Sequence, residues 1–307
     1  MKKKEISCVI ITNNRKNYLH NCIKSILKQN YELKNIEIII VNDHVHKFIK
    51  ENDFKFLKNI SFKIINNNKK RFMAECRNIG AMNSIGKYIL FIDDDNLLEK
   101  NLLKNLVFHF KKNKMSGVIG PTMYDINMRK YLSSQKINLN TSITKSFVFD
   151  SFNSLHLSTG VPNVFMIPRK IFNHIRFNSV MLQTYSEPDF SLNLYNKLKL
   201  KSFIADDCKV YHQFDSKDFS RQIGNVYPIK AYCLMRNRAM LIKDYGSLNN
   251  KLIFSLVYYF PIFFYYCFNA IKFKQYQLLR YYLFGLIDGF RYMLFKILNH
   301  NFLNRII

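Results

Sequence analysis

The sequence predicts an α/β fold over roughly its first two-thirds and a separate helical region after it. Three observations predict this. Apolar runs alternate with amphipathic segments through the first hundred residues, the pattern of βαβ units feeding a sheet with parallel strands. Polar residues follow each apolar run, at the carboxyl end of the expected strand, where open α/β sheets bind their ligands. Beyond Gly224 the composition turns basic and aromatic, and Leu252 to Ile271 runs for twenty residues without a formal charge.

Ile6 to Ile11 is the first strand, apolar throughout. With Asn17 as N-cap, Tyr18, Leu19, Cys22, Ile23, Ile26 and Leu27 recur at helical spacing, so a helix is expected to pack on that sheet. Ile36 to Val41 is a second buried strand, ending at Asn42-Asp43-His44. Phe62 to Ile65 makes a short third strand, Ala74 to Ser84 a helix, and Lys87 to Ile92 a fourth strand ending at Asp93-Asp94-Asp95. The turn after the first strand, Thr12-Asn13-Asn14-Arg15, has no glycine, which speaks against a dinucleotide-binding domain. After Gly117-Val118-Ile119-Gly120 the chain is expected to be irregular, with Tyr124 to Ser154 a polar insertion. Ser202 to Ala205 is strand-like, and Tyr227 to Tyr245 reads as a helix carrying Lys230, Arg236, Arg238 and Lys243.

The acidic triplet is the most informative stretch. Three adjacent carboxylates repel one another unless a cation, hydrogen bonds or water compensates them, and hard cations prefer oxygen ligands. A metal site and a solvated acidic turn both satisfy that requirement. Composition narrows the partners less sharply. The chain has 307 residues, 48% of them hydrophobic, and a formal net charge of +26, which implies attraction to something anionic. Nucleic acid, an anionic membrane surface and phosphorylated small molecules all qualify, as does a merely solvated basic surface. Six cysteines without a CxxC pair read as reduced, mostly buried thiols in a cytosolic setting. The N-terminus shows no secretion signal, because Met1-Lys2-Lys3-Lys4-Glu5 passes straight into the first strand.

Four motifs occur in a telling order: Val9-Ile10-Ile11-Thr12-Asn13-Asn14-Arg15, Ile38-Ile39-Ile40-Val41-Asn42-Asp43, Arg77-Asn78-Ile79-Gly80 and Phe91-Ile92-Asp93-Asp94-Asp95. Together they resemble the GT-A glycosyltransferases of family 2, inverting enzymes that use nucleotide-activated sugars. The resemblance implies a Rossmann-like mixed sheet flanked by helices, with a GT-A domain over 1–225 divided into a nucleotide-sugar-binding half (1–100) and an acceptor-binding half (101–225). It implies that Thr12, Asn14, Arg15, Asp43, Arg77, Asp93 and Asp94 contact the donor nucleotide, with Asp43 accepting a hydrogen bond from the base and Asp94 nearest the sugar. It implies a divalent metal, Mn²⁺ or Mg²⁺, held by Asp95 and Asp93 and joined by His212 of Val210-Tyr211-His212. Taken singly, Asp43 capping a turn, Arg77 pairing with a carboxylate and a structural His212 are ordinary alternatives. Asn42 and His44 depart from the family, which often has a second Asp and a Gly there.

In the acceptor half, Ser158 to Ile167 resembles the family segment beneath the acceptor, and Ser186-Glu187-Pro188-Asp189-Phe190 resembles its acidic motif at a helix start. The resemblance makes Glu187 the general base and Asp189 the fallback; helix capping by acidic residues is the structural alternative.

The tail, 226–307, is expected to be a membrane-associating helical region. Twenty apolar residues could span a bilayer core of about 30 Å, but Leu252 to Ile271 contains Pro261, Asn269 and four tyrosines and is bracketed by lysines. Tyrosine prefers the headgroup interface. The expectation is monotopic or peripheral attachment at the cytoplasmic face of the cell membrane, with lysines on anionic headgroups. A bilayer hairpin and a homodimer interface formed by the C-terminal helices are the alternatives. The partners implied are a UDP-, GDP- or dTDP-sugar, a glycan or lipid-linked acceptor and an anionic membrane surface, with no nucleic acid. A nucleotidyltransferase would need a glycine-rich phosphate loop that the first turn lacks. A nucleic-acid-binding protein would need a binding module that is not evident.

Overall fold

A computed structural model describes residues 4–57, 60–150, 154–214 and 226–298. The chain divides into two compact units, one comprising Met1–Lys136, Ser146–Val180 and Glu187–Ser216, the other Ile137–Lys145, Met181–Ser186 and Lys217–Ile307. Two short pieces of the expected acceptor half therefore cluster with the tail. Residue 225 itself lies outside the described residues.

The first unit is built on a sheet of strands β1 (Ile6–Thr12), β2 (Ile36–Asn42), β3 (Ser61–Asn66), β4 (Tyr88–Asp93), β5 (Asn96–Leu98), β6 (Ser116–Tyr124), β7 (Lys130–Leu132), β10 (Leu155–Ser158), β11 (Phe165–Pro168) and β12 (Lys201–His212). Its helices are α1 (Lys16–Leu27), α2 (Phe72–Met82), α3 (Leu102–Lys112), α4 (Arg169–His174) and α5 (Ser186–Leu198). The main path runs β10-β12-β6-β11-β4-β1-β2-β3. β1 to β4 pair in parallel, while β11 enters antiparallel between β4 and β6, so the sheet is mixed. From β1 the chain moves outward through β2 and β3, then returns to place β4 on the other side of β1. The strand order thus reverses between β1 and β4, the position at which such sheets open a ligand crevice.

Alternation explains why these strands are apolar throughout. Ile6, Cys8 and Ile10 of β1 join one core cluster with Leu19, Cys22, Ile23 and Ile26 of α1. Val9 and Ile11 face the other, with Ala74, Cys76 and Ala81 of α2. A sheet covered on both faces buries every side chain of its central strands. Gly80 lets α2 lie close: a Cβ there would stand 2.2 Å from Val9 Cγ1.

Three local expectations shift. Helix α1 starts at Lys16, so Asn17 lies inside the helix and Arg15 holds the N-cap position. The polar insertion is not irregular: besides β7 it forms a separate two-stranded sheet of β8 (Ser134–Asn138) and β9 (Ile143–Phe147). Its side chains are mostly polar, so the ladder shows no long apolar run for a sequence reading to find. The strand near Ser202 is much longer than expected, reaching His212.

The second unit contains helices α6 (Pro228–Tyr245), α7 (Leu248–Lys272) and α8 (Leu279–Phe295). Met235 and Ala239 of α6, Tyr259 of α7 and Tyr282, Leu286 and Met293 of α8 belong to one apolar cluster. Phe254–Tyr258 forms a π-helical turn in α7 shortly before Pro261, whose ring lacks an N–H and crowds the preceding turn. Helix α7 is long and apolar enough to cross a membrane, and 11% of its most apolar window is buried. Leu256, Phe264 and Phe268 are all exposed.

Candidate active site

The crevice at the carboxyl ends of β1, β2 and β4 collects the charged side chains. Ile11 pairs with Asp93 across β1 and β4, so the turn after β1 stands beside the acidic triplet. The backbone N–H of Asp94 donates to Ile11 O at 3.2 Å, and that of Asp43 donates to Thr12 O at 2.9 Å. β5 pairs with the end of β12, setting His212 opposite Asn96. Four separate stretches of sequence thereby meet at one edge of the sheet.

The triplet is compensated by protein cations, each carboxylate differently. Asp94 is fully buried, accepts a hydrogen bond from the Thr12 hydroxyl and forms an ion pair with Arg15. Arg15 Nη1 also reaches Asp95 Oδ2 at 3.0 Å, and His212 Nε2 lies 3.2 Å from Asp95 Oδ1. Burial pushes the Asp95 carboxyl up, but His212 and Arg15 outweigh it and hold it at about 2. Asp93 faces Arg77 Nη2 at 3.6 Å. Burial raises the Asp93 carboxyl to about 7 against the pull of Arg77, with Asp95 and Glu187 adding repulsion. Asp94 is turned inward onto Thr12 and Arg15.

Arg77 joins the triplet to the expected base. It is fully buried on α2, its guanidinium within 5.4 Å of the Phe165 ring centre and 5.5 Å of the Phe177 ring centre. Its Nη1 lies 2.6 Å from Glu187 Oε1 in the first turn of α5. Asp189, two residues on, is 2% exposed. Of the two acidic positions, Glu187 is the one bridged to the triplet.

Asp43 is anchored by α2. Its carboxylate accepts from the backbone N–H groups of Arg71 at 2.8 Å and Phe72 at 3.0 Å and from Asn67 Nδ2 at 2.9 Å, and Lys70 Nζ stands 3.0 Å away. Four donors occupy the roughly four acceptor positions of a carboxylate. A nucleobase would have to replace one, and partly exposed Lys70 is the donor free to swing. Phe72 is held at φ 61°, a strained value for a bulky residue, between these bonds and the start of α2. Asn14, at φ 58°, directs its amide to Lys47 O at 2.9 Å, away from the triplet.

Sequence reasoning missed several supporting residues. The Asn163 side chain helps to lower the Asp93 carboxyl, and the Tyr131 hydroxyl lies 3.3 Å from His212 Nδ1. Lys70 follows β3 in the run Asn66-Asn67-Asn68-Lys69-Lys70. The switch-point rule that located Asp43 also applies there. Nothing local marks Tyr131 or Asn163.

Asp93, Asp95 and His212 are donor types that suit a divalent cation, although their donor atoms are not gathered within 4.8 Å of one another. Asp93 Oδ1 is buried with no hydrogen-bond partner among the described residues. Together with Asp95 and His212 it offers oxygen and imidazole donors, the set that suits Mn²⁺ or Mg²⁺.

Comparisons with known proteins bear on the family and the fold. The sequence pattern described as Glycosyl transferase family 2 matches residues 7–176. Glycosyltransferase GlyG of Streptococcus pneumoniae serotype 4 is 26% identical over 184 residues, covering 57% of this chain and 60% of that protein. Poly(ribitol-phosphate) beta-N-acetylglucosaminyltransferase TarP of Staphylococcus aureus is 27% identical over 236 residues, 73% of this chain and 69% of TarP. Coverage is partial elsewhere: the chain spans only 14% of the length of S. pneumoniae glycosyltransferase GlyA. Among solved structures, S. aureus TarS 1-349 in complex with UDP-GlcNAc superposes with a TM-score of 0.58 at 16% identity, over 94% of this chain and 90% of that one. GalNAc-T7 with UDP, GalNAc and Mn²⁺ gives 0.59 at 16% identity, over 79% and 50%. The fold is that of the GT-A enzymes, and with its sequence pattern matched over more than half its length the chain belongs to glycosyl transferase family 2.

Proposed function

We propose that this chain transfers a sugar from a nucleotide-sugar donor to an acceptor hydroxyl, with inversion, at a membrane surface. The observation that supports the reading is the Arg77 bridge, 2.6 Å from Glu187 and 3.6 Å from Asp93, so that the proposed base is one guanidinium away from the acidic triplet. An inverting transfer needs a base on the face of the sugar opposite the departing phosphate. Glu187 takes the acceptor proton at its carboxylate as attack proceeds in line, and Arg77 keeps that carboxylate aimed.

Asp93, Asp95 and His212 would hold the divalent cation, which supplies positive charge against the donor diphosphate. Arg15 and Lys70 are the partly exposed cations at the rim and exchange carboxylate partners for phosphate oxygens when the donor enters. Asp43 fixes the start of α2 and with it the position of Arg77. UDP-GlcNAc is the first donor to test, because TarS binds it on this fold.

The acceptor is proposed to be a lipid-linked or surface glycan. The exposed apolar face of α7 and the +26 charge support attachment to an anionic membrane at its cytoplasmic face. Thermal unfolding with a panel of nucleotide sugars, with and without Mn²⁺, tests the donor and the cation together. Stabilisation by one nucleotide sugar in the presence of Mn²⁺ is expected, of about 2.7 kcal/mol at a hundredfold excess over Kd. No stabilisation by any of them would remove the reading.

A further inference from the structure

Strand β12 carries a second cluster of ligand-type side chains, five residues upstream of His212 and so about 15 Å along an extended strand. Ala205 pairs with Pro121 of β6 and Lys209 with the very next residue, Thr122, so Asp206, Asp207 and Cys208 are extra residues in a bulge. Bulges re-aim side chains, and this one splits two adjacent carboxylates. Asp206 turns to Thr122 Oγ1 at 3.2 Å and His156 Nε2 at 2.7 Å. Asp207 turns to α3, where its Oδ1 lies 2.6 Å from His109 Nε2, while Asn105 Nδ2 donates to its backbone carbonyl at 2.9 Å. The Cys208 thiol stands 3.8 Å from the same Asp207 oxygen.

We propose that His109, Asp207 and Cys208 form a zinc-binding site, separate from the acidic triplet, with an open fourth position. The three donor atoms lie within 4.8 Å of one another, and His109 and Cys208 are buried. Imidazole nitrogen, carboxylate oxygen and thiolate sulfur form a mixed set that selects Zn²⁺ over Mg²⁺ or Mn²⁺. Donors on a tetrahedral zinc stand roughly 3.3–3.7 Å apart, given ligand distances of about 2.0–2.3 Å. Asp207 therefore exchanges its direct hydrogen bond with His109 for a shared ion, a move of about 1 Å. The fourth position opens on a cavity of about 740 Å³ lined by Asn105, His109, Asp207, Lys104, Lys112 and Phe108. Zinc with one thiolate and one carboxylate is neutral overall, so the two lysines do not oppose it and would favour an anionic fourth ligand. Without an ion, burial raises the Cys208 thiol well above its ordinary range, and zinc binding releases that proton to solvent.

The test uses Co²⁺ and Zn²⁺ on the full chain and reads binding alone, so it stands whether or not the proposed transfer does. Wild-type protein should show a thiolate-to-cobalt charge-transfer band that Cys208→Ser lacks and Asp95→Asn, altered at the triplet, keeps. His109→Ala should weaken Zn²⁺ binding by at least about tenfold in chelator competition. No such band, a band that survives Cys208→Ser, or unchanged zinc affinity in His109→Ala would overturn the site. If Cys208→Ser does not fold, Asp207→Asn decides instead. It should weaken Zn²⁺ binding by at least about tenfold in chelator competition, and unchanged affinity would overturn the proposal.

Discussion

Arg77 Nη1 lies 2.6 Å from Glu187 Oε1, and Nη2 of the same fully buried guanidinium lies 3.6 Å from Asp93 Oδ1. One cation from α2 therefore separates two carboxylates that come from β4 and α5. Replacing Arg77 with Met leaves those carboxylates facing each other across an apolar slot between Phe165 and Phe177. Removing one partner of a buried ion pair costs about 3–5 kcal/mol, so the urea midpoint of Arg77→Met should fall steeply. Arg77→Lys keeps the charge but not the two-pronged fork and should fall between. A loss below about 1 kcal/mol in Arg77→Met, the size of a surface pair, would show that the bridge is not structural.

Glu187 and Asp189 separate by burial. Glu187 has a side chain 20% exposed and bridged to the triplet, whereas Asp189 is 2% exposed in the first turn of α5. Glu187→Gln should lower turnover by about 10²–10⁴, the range of a positioned base, with donor Kd unchanged by calorimetry. Asp189→Asn should chiefly lower thermal stability. The opposite pattern would move the base to Asp189.

Arg15 and Arg77 already pair with the carboxylates of the acidic triplet. The protein should therefore unfold cooperatively in EDTA, unlike small metal-dependent domains that are unfolded without their ion. Donor-induced stabilisation should vanish in the chelator and return when Mn²⁺ is supplied in excess. Donor binding of equal strength in EDTA would remove the cation from the site.

The sheet and its crevice were legible because central strands covered on both faces read as unbroken apolar runs, and their polar ends fall on one edge. The two-stranded pair around Ser134 and Ile143 was not, since its alternating, largely polar residues carry no core signal. The partners of Asp93 and Asp95 were half legible. Arg77 and His212 sit in recognisable motifs, whereas Asn163 and Tyr131 reach the site only through the antiparallel insertion of β11 and the pairing of β7 with β6. The inward turn of Asp94 depends on the Thr12 hydroxyl and Arg15, which three-dimensional closure brings to it and linear spacing does not.

Gly80 couples packing to the site. A methyl group there would stand 2.2 Å from Val9 Cγ1 and 3.2 Å from Val41 Cγ2, so either the Val9 side chain or α2 must shift. Overpacking of this kind costs about 1–3 kcal/mol. Because Arg77 lies one turn earlier on α2, Gly80→Ala should also weaken donor binding in the thermal assay. Val9→Ala in the same chain should restore part of both losses, since the two sites touch. Additive losses in the double variant would show that the contact does not limit the helix.

Helix α7 offers a test of the proposed membrane attachment. Leu256 is 78% exposed and Phe264 63% exposed on one apolar helix, and lysines bracket it at Lys251 and Lys272. Each lysine near an anionic surface contributes about 1 kcal/mol, screened within roughly a Debye length. The chain should co-sediment with vesicles containing phosphatidylserine and far less with neutral ones. Phe264→Glu should weaken that binding even at low salt, because it puts a charge where the apolar face enters the lipid. An interfacial helix should leave cell membranes in alkaline carbonate, whereas release only in detergent would mean that α7 crosses the bilayer. Equal recovery with neutral and anionic vesicles would show that the positive charge serves another partner.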